Sequence, residues 1–349
     1  MKLAVFLPNW IGDVVMATPT LRALRHRFPQ ARILGVMRPY VADVLAGTRW
    51  LDDAVFFDHR SENAYRRMPS VARQLRAERI DTAVLLTNSW RTGLLARWGG
   101  ARERVGYARG GRGWLLSTKL RPPRQGRRYL PSPVLDYYLE LAYALGCPAE
   151  SPRMELAVLG DDRRAAASAW SRLGLDGARS VIALNSGGAF GAAKLWPTEY
   201  FAELARELAG RGHAVLVLCG PSERAIAAEI VRSAGDRRVA SLADEPMSIG
   251  LTKACLERTR LLVTTDSGPR HLAAALGVPS VSLFGPTHIA WSDNHAATDM
   301  HVQLKLECQP CQQRVCPLKH HRCMRELSVE RVMAAVVDQL RRTEHADAA

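Results

Sequence analysis

The chain has 349 residues, 47% of them hydrophobic and 23% charged, which is enough apolar mass for two compact domains and too much length for one ordinary core. No run of about 20 apolar residues occurs, which excludes a membrane-spanning helix, and the first apolar stretch begins at Lys2 without a secretory pattern, so a cytoplasmic protein is expected. The formal net charge of +14 calls for an anionic partner, and the seven cysteines are expected as reduced thiols, not as a disulfide framework.

From the N-terminus, short apolar runs at 3–7, 32–37, 54–57 and 82–86 read as strands, with helical periodicity at 14–28, 40–46 and 65–78 between them. Strands alternating with helices imply a parallel sheet. The first strand runs into Gly12 and then Asp13 at a helix start. A dinucleotide-binding loop would place two or three glycines here, and an acid in the first turn suits the helix dipole but repels a phosphate. Asp13 therefore needs another use.

Residues 97–128 hold ten basic side chains (Arg97, Arg102, Arg104, Arg109, Arg112, Lys119, Arg121, Arg124, Arg127 and Arg128) against one acid, Glu103. Its glycines, among them Gly99, Gly100, Gly106, Gly110, Gly111 and Gly113, and the Pro122-Pro123 pair make this block read as a long mobile loop. Nucleic acid, an anionic membrane surface or a phosphorylated acceptor would each fit such a patch, and a solvated arginine-rich surface is the plain alternative. A nucleic-acid partner is not expected, because a reading element or interleaved base-stacking aromatics are missing and only 7% of the residues are aromatic. The segment 145–152, LGCPAESP, carries linker punctuation, and a domain boundary is expected near residue 155.

The second half repeats the alternation, with strands expected at 181–184, 214–218, 261–263 and 280–283 and helices near 197–209, 222–234, 248–257 and 269–276. Residues 329–340 read as a closing helix after a second domain spanning 156–327, and the final HADAA as frayed. Three strand ends carry residues suited to phosphate. In NSGGAFGAAKLWP, Ser186, Gly187 and Gly188 can offer N–H groups and a hydroxyl, and Lys194 a point charge. In TTDSGPRH, Thr265 and Asp266 cap a turn, Ser267, Gly268 and Pro269 start a helix, and His271 can either donate to an anion or pack against the sheet. In LCGPSER, Glu223 can accept from ribose hydroxyls or simply be a favourable first-turn charge. The run ECQPCQQRVCPLKHHRCM sets Cys308, Cys311, Cys316 and Cys323 beside His320 and His321. These are ligand types suited to structural zinc, at spacings unlike a standard finger, and unligated thiols in a surface loop are the default reading.

Gly12-Asp13 with Pro19 and Leu24, Lys194-x-Trp196-Pro197, and Asp266-Ser-Gly-x-x-His271 followed by Phe284-Gly-Pro-Thr287 stand in one order over nearly the whole chain. In this order and spacing the chain resembles the bacterial lipopolysaccharide heptosyltransferases of glycosyltransferase family nine. The resemblance implies an α/β fold of GT-B architecture, two Rossmann-like doubly wound domains facing a central cleft, with the acceptor on the first domain and the nucleotide sugar on the second. It implies Asp13 as the catalytic base, and donor contacts from Ser186, Gly187, Lys194, Glu223, Asp266, Ser267, Gly268 and His271. Gly12, Arg97 and Arg121 are the expected acceptor-side residues. The implied reaction is inverting transfer of heptose from ADP-heptose to a phosphorylated lipopolysaccharide inner core. No metal or cofactor is expected, since no Asp-x-Asp donor-metal motif occurs. A monomer is expected, held peripherally on the anionic inner-membrane surface. A transferase for another nucleotide sugar, or an epimerase on the same architecture, remains open.

Overall fold

The computed structural model describes residues 1–126, 128–188 and 190–347, with side chains through Glu344. The chain divides into two compact units, Met1–Ala157 and Val158–Ala349, against an expected boundary of 155.

In the first unit the elements run β1 (Lys2–Phe6), α1 (Ile11–Met16), α2 (Thr18–Arg27), β2 (Arg32–Met37), α3 (Pro39–Leu45), β3 (Asp53–Phe56), α4 (Met68–Glu78), β4 (Thr82–Leu85), α5 (Trp90–Trp98), β5 (Glu103–Tyr107), β6 (Thr118–Leu120), β7 (Arg124–Gln125), β8 (Arg128–Tyr129) and α6 (Val134–Tyr143). Six strands form one sheet in the order β3-β2-β1-β4-β5-β6, and every pairing is parallel. The central strands β1 and β4 are buried on both faces, as the continuous apolar runs LAVF and AVL require of a sheet covered by helices. The helix expected over 14–28 is two helices. Thr18 turns its hydroxyl back to the Val15 carbonyl at 2.7 Å, and Pro19, in the first turn of α2, cannot donate to the preceding turn. Arg22, buried on α2, donates to the carbonyls of Ser151 and Arg153 and pairs with Glu150 and Glu155, tying the linker region to this unit.

The basic block is not a mobile loop. Arg97 lies in α5, β5 and β6 join the sheet, residues 112–115 form a turn of 3₁₀ helix, and β7 pairs with β8 as an antiparallel hairpin; Arg127 lies outside the described residues. Two of its guanidinium groups are structural, while Arg97, Arg102, Arg121, Arg124 and Arg128 are exposed. Arg104 donates to the carbonyls of Leu115 (2.7 Å) and Ala101 (2.6 Å), and the buried Arg112 donates to those of Tyr107 (3.0 Å), Ser89 (3.1 Å) and Thr87. Gly106 is small because a side chain there would press on Leu116 and Arg112, at 3.2 and 3.3 Å, not because the chain flexes.

In the second unit the order is α7 (Gly160–Arg172), β9 (Val181–Asn185), α8 (Thr198–Gly210), β10 (Ala214–Leu218), α9 (Arg224–Ala234), β11 (Val239–Ser241), α10 (Ile249–Glu257), β12 (Leu261–Thr265), α11 (Gly268–Ala275), β13 (Ser280–Phe284), α12 (Ile289–Ser292), β14 (Asp299–Gln303), α13 (Arg322–Arg325) and α14 (Val329–Asp347). The sheet order β11-β10-β9-β12-β13-β14, all parallel, repeats the first unit's topology. The closing helix α14 belongs to this unit and runs further than expected, through Asp347, while Ala348 and Ala349 of the expected frayed tail lie outside the described residues. Trp196, buried, donates its indole N–H to the Leu327 carbonyl at 2.8 Å and so fixes the approach to α14. In each sheet the strand order reverses between the first and fourth strands in sequence, β1 and β4 or β9 and β12. Such a reversal opens a crevice at the strands' carboxyl ends, where this topology binds ligands.

Candidate active site

At the reversal point of the second unit, β9 ends at Asn185 and β12 at Thr265. The Asn185 amide, buried, divides its two N–H groups among the Gly187 carbonyl (3.2 Å), Thr264 Oγ1 (3.1 Å) and Ser267 Oγ (3.1 Å). Thr265 donates to the same Gly187 carbonyl at 2.9 Å. The loop after β9 is thereby pinned to the loop after β12. The Ser186 hydroxyl is buried with no hydrogen-bond partner among the described residues, which costs free energy unless a ligand oxygen meets it.

Glu223 comes to the same place from β10. Its carboxylate accepts from the Gly220 N–H at 2.8 Å and lies so close to Gly187 that a Cβ on that residue would stand 1.9 Å from it. Only glycine lets the carboxylate rest on the backbone there.

Lys194, on the short turn Ala192–Lys194, reaches Asp266 with Nζ 2.6 Å from the carboxylate and 2.9 Å from the carbonyl oxygen. Asp266 also accepts from Thr287 Oγ1 at 2.7 Å and lies 3.6 Å from Arg270. Burial pushes its carboxyl upward, but the charges of Lys194 and Arg270 and the hydrogen bonds from Lys194 and Thr287 outweigh burial and hold it below the usual carboxylate range. Arg270, fully buried, bonds in turn to Asp299, the Ser292 carbonyl (2.7 Å) and His301 (2.8 Å). Lys194, Asp266, Arg270 and Asp299 thus form a row of alternating charge beneath the loop.

Ser267 caps α11 with extended backbone and no side-chain capping bond; Gly268 follows, and Pro269 occupies the first turn. Pro269 has no N–H and that of Arg270 donates to the Ser267 carbonyl at 3.3 Å, so this turn offers an anion the Gly268 N–H and the helix dipole. His271, one turn on, is buried, with Nδ1 3.5 Å from the Asn294 amide; burial first, and then Arg270, lower its pKa and keep the imidazole neutral. The structure thus brings together Ser186, Gly187, Lys194, Glu223, Asp266, Ser267 and Gly268. Asn185, Thr265, Thr287 and Arg270 complete the cluster. Thr265 and Thr287 stand in motifs the sequence shows, but none of the four has a site role legible from sequence, because that role comes from contacts between strand ends far apart in the chain.

In the first unit, Gly12 is buried at the start of α1, and Asp13 is half-buried in its first turn, at the carboxyl end of β1. The negative charge of Asp13 reaches Tyr138 on α6, whose phenol burial and that charge push well above the ordinary tyrosine value. Arg121 follows β6 and stands, exposed, at the same sheet edge as Asp13. Arg97 does not. It lies near the end of α5, which runs back from the carboxyl end of β4, so it sits toward the opposite edge of the sheet. The arginine that α5 places at the Asp13 edge is Arg91, whose backbone N–H is capped by Ser89 at 3.2 Å.

Cys308, Cys311 and Cys316 are free, half-buried thiols in the irregular segment before α13, as the default reading expects, and Cys323 lies inside α13. Cys323 is buried, and all four line one small cavity of about 20 Å³ with His320 and His321. Burial, with the neighbouring Cys308, Cys311 and Cys316, pushes the Cys323 thiol up to about 11. Among the described residues no three His, Cys, Asp or Glu side chains form a metal-holding group. The segment braces the Lys194 loop. His321 Nε2 lies 2.8 Å from the Ala193 carbonyl, and Ala193 donates to the Arg314 carbonyl at 3.0 Å.

A family model described as glycosyltransferase family 9 (heptosyltransferase) matches residues 68–322. Among curated relatives, the lipooligosaccharide heptosyltransferase 2 of Campylobacter jejuni is 25% identical over 340 residues, 95% of this chain and 96% of the relative. The lipopolysaccharide heptosyltransferase 2 of Escherichia coli K12 is 28% identical over 300 residues, 82% of this chain and 83% of the relative. Among solved structures, that of E. coli ADP-heptose lipopolysaccharide heptosyltransferase II matches with a TM-score of 0.80 at 24% identity, covering 99% of this chain and 100% of its own. The fold class is thus the α/β, two-Rossmann-unit class of the GT-B heptosyltransferases, built here on two six-stranded parallel sheets. The chain belongs to glycosyltransferase family 9, the heptosyltransferase family, and is a glycosyltransferase.

Proposed function

We propose that this chain transfers heptose from ADP-L-glycero-D-manno-heptose to the phosphorylated inner core of lipopolysaccharide, with inversion and without a metal ion, as a monomer at the cytoplasmic face of the inner membrane. The observation that carries this reading is the cluster at the β9/β12 reversal. An unpartnered buried hydroxyl on Ser186, the Lys194 ammonium and the start of α11 converge there, a set suited to a diphosphate. Family membership and the names of the relatives supply the sugar and the acceptor.

In the proposed reaction the acceptor hydroxyl oxygen attacks the anomeric carbon as the bond from that carbon to the ADP phosphate oxygen breaks. Asp13 takes the hydroxyl proton. The electron pair of the broken bond leaves on the diphosphate, where Lys194, the Ser186 hydroxyl, the Gly268 N–H and the dipole of α11 offset the developing charge. Glu223 accepts from the ribose hydroxyls. Asp266 acts by holding Lys194, and His271, neutral, by packing and hydrogen bonding beneath the pyrophosphate. On the acceptor side Gly12 allows close approach beside Asp13, and Arg121 meets acceptor phosphate.

Thermal unfolding with a panel of nucleotide sugars tests the donor. ADP-heptose is expected to raise the midpoint while UDP- and GDP-sugars leave it unmoved. Stabilisation by a UDP- or GDP-sugar alone would remove the proposed donor.

A further inference from the structure

The exposed side of α5 carries large apolar rings interleaved with arginines. Trp90 is 53% exposed and Trp98 45%, and Arg91, Leu94 and Arg97 lie between them. At 100° per residue these five side chains fall within an arc of about 120°. The opposite side, Thr92, Leu95 and Ala96, is buried on the sheet. A third tryptophan, Trp114, 66% exposed, stands on the 3₁₀ turn packed against the same helix. That turn is fixed. Leu115 lies against Gly93, leaving 3.1 Å for a Cβ there, and Arg112 bonds to the carbonyls of Thr87 and Ser89 at the helix start.

Along this stretch of chain the charge is almost all of one sign. From residue 82 to residue 135 the only acid is Glu103, and its carboxylate is occupied within the sheet by the hydroxyls of Thr82 and Thr118, each at 3.2 Å. The neighbouring α4 adds Arg76, which donates to the Trp98 carbonyl at 2.7 Å. Indole rings exposed to water gain nothing, but at the headgroup level of a bilayer their apolar bodies are buried while the N–H stays hydrated. Arginine stems lie along the same boundary with their charge outward, toward anionic headgroups. No helix among the described residues is long and apolar enough to cross a membrane, so an association of this kind would lie on the surface.

We infer that the α5 stripe and the Trp114 turn form the surface by which this chain lies on an anionic lipid bilayer. The inference rests on the proposed function in that it gives the membrane-held acceptor a docking face. Arg91 at the Asp13 edge and Arg97 toward the opposite edge make the stripe run the length of α5.

The test is co-sedimentation of the full chain with vesicles of phosphatidylcholine, alone or with phosphatidylglycerol, for wild type and for the double variant Trp98→Ser/Trp114→Ser. The wild type is expected to bind only the phosphatidylglycerol vesicles and to be released as salt rises. The double variant, with an unchanged thermal midpoint, is expected to bind at least about fivefold more weakly. It should still transfer sugar to a delipidated, water-soluble acceptor at the wild-type rate. Absence of wild-type binding to the anionic vesicles, equal binding by the double variant, or tighter binding of a single-stranded oligonucleotide than of vesicles would each overturn the docking face. Transfer to the delipidated acceptor reads the reaction separately, so its failure would count against the enzyme reading and leave the vesicle result standing.

Discussion

Lys194 and Asp266 are 72 positions apart in sequence, yet the ammonium lies 2.6 Å from the carboxylate, both side chains nearly buried. Lys194→Met leaves that carboxylate with only the more distant Arg270 and the Thr287 hydroxyl. Removing one partner of a buried pair costs about 3 kcal/mol, which urea unfolding measures. Titration calorimetry should show ADP affinity falling at least about tenfold. The double change Lys194→Met/Asp266→Leu is expected to regain much of the stability but not the ADP affinity, which separates the structural role of the pair from its role toward the diphosphate.

His271 gives the fold an acid sensitivity with a defined sign. Its pKa is lowered from 6.5 in the folded chain, so below 6.5 the unfolded chain holds a proton that the native imidazole refuses. Its contribution is fully present above the unfolded value and is lost as pH falls toward the folded one. His271→Asn should therefore flatten the fall in thermal midpoint between about pH 6.5 and about pH 3. An unchanged slope would show that the imidazole is protonated in the native state.

Arg112 is fully buried among backbone carbonyls, and Arg112→Met strips them of their donor. A loss of about 3 kcal/mol is expected on urea unfolding, and Arg112→Lys should recover little of it because an ammonium cannot reproduce the planar fork. Arg121→Ser, at an exposed position of the same basic block, should change stability by less than about 0.5 kcal/mol.

Gly187→Ala puts a methyl group where the Glu223 carboxylate lies, 1.9 Å from one oxygen. The carboxylate must swing away and give up the Gly220 N–H. Isothermal titration should show weaker ADP binding, by about tenfold, with a cost to stability of only about 1 kcal/mol. Glu223→Ala should bind ADP similarly weakly, and the combined variant no worse than either alone, since both remove the same contact.

Much of the fold is legible in the sequence because buried parallel strands are continuous apolar runs. LAVF, RILGVM, AVLVL and the strands beginning at Leu261 and Ser280 read directly. The strands that escaped are the edge strands β6, β11 and β14, the two-residue hairpin β7 and β8, and the interior β5, whose ERVGY is interrupted by charge and takes its pairing from β4 and β6. Arginine misled most. ERVGYARGGRGWLL has the composition of a solvated loop, yet Arg104 and Arg112 spend their donors on backbone carbonyls and hold the segment rigid. At the site, the phosphate-suited strand ends were visible as Ser186-Gly187, Glu223 and Asp266-Ser267. The Asn185 amide that joins two of them, and the charge row through Arg270 to Asp299, depend on contacts between separate strands and leave no local pattern.

The central claim is that proton removal rests on Asp13 in the first unit while the diphosphate is held by the second. Asp13→Asn keeps the side chain's shape and removes its basicity, so steady-state turnover should fall by at least about two decades, with the ADP dissociation constant, measured on the same protein, nearly unchanged. Loss of ADP binding in Asp13→Asn, or turnover within a few-fold of wild type, would contradict that division.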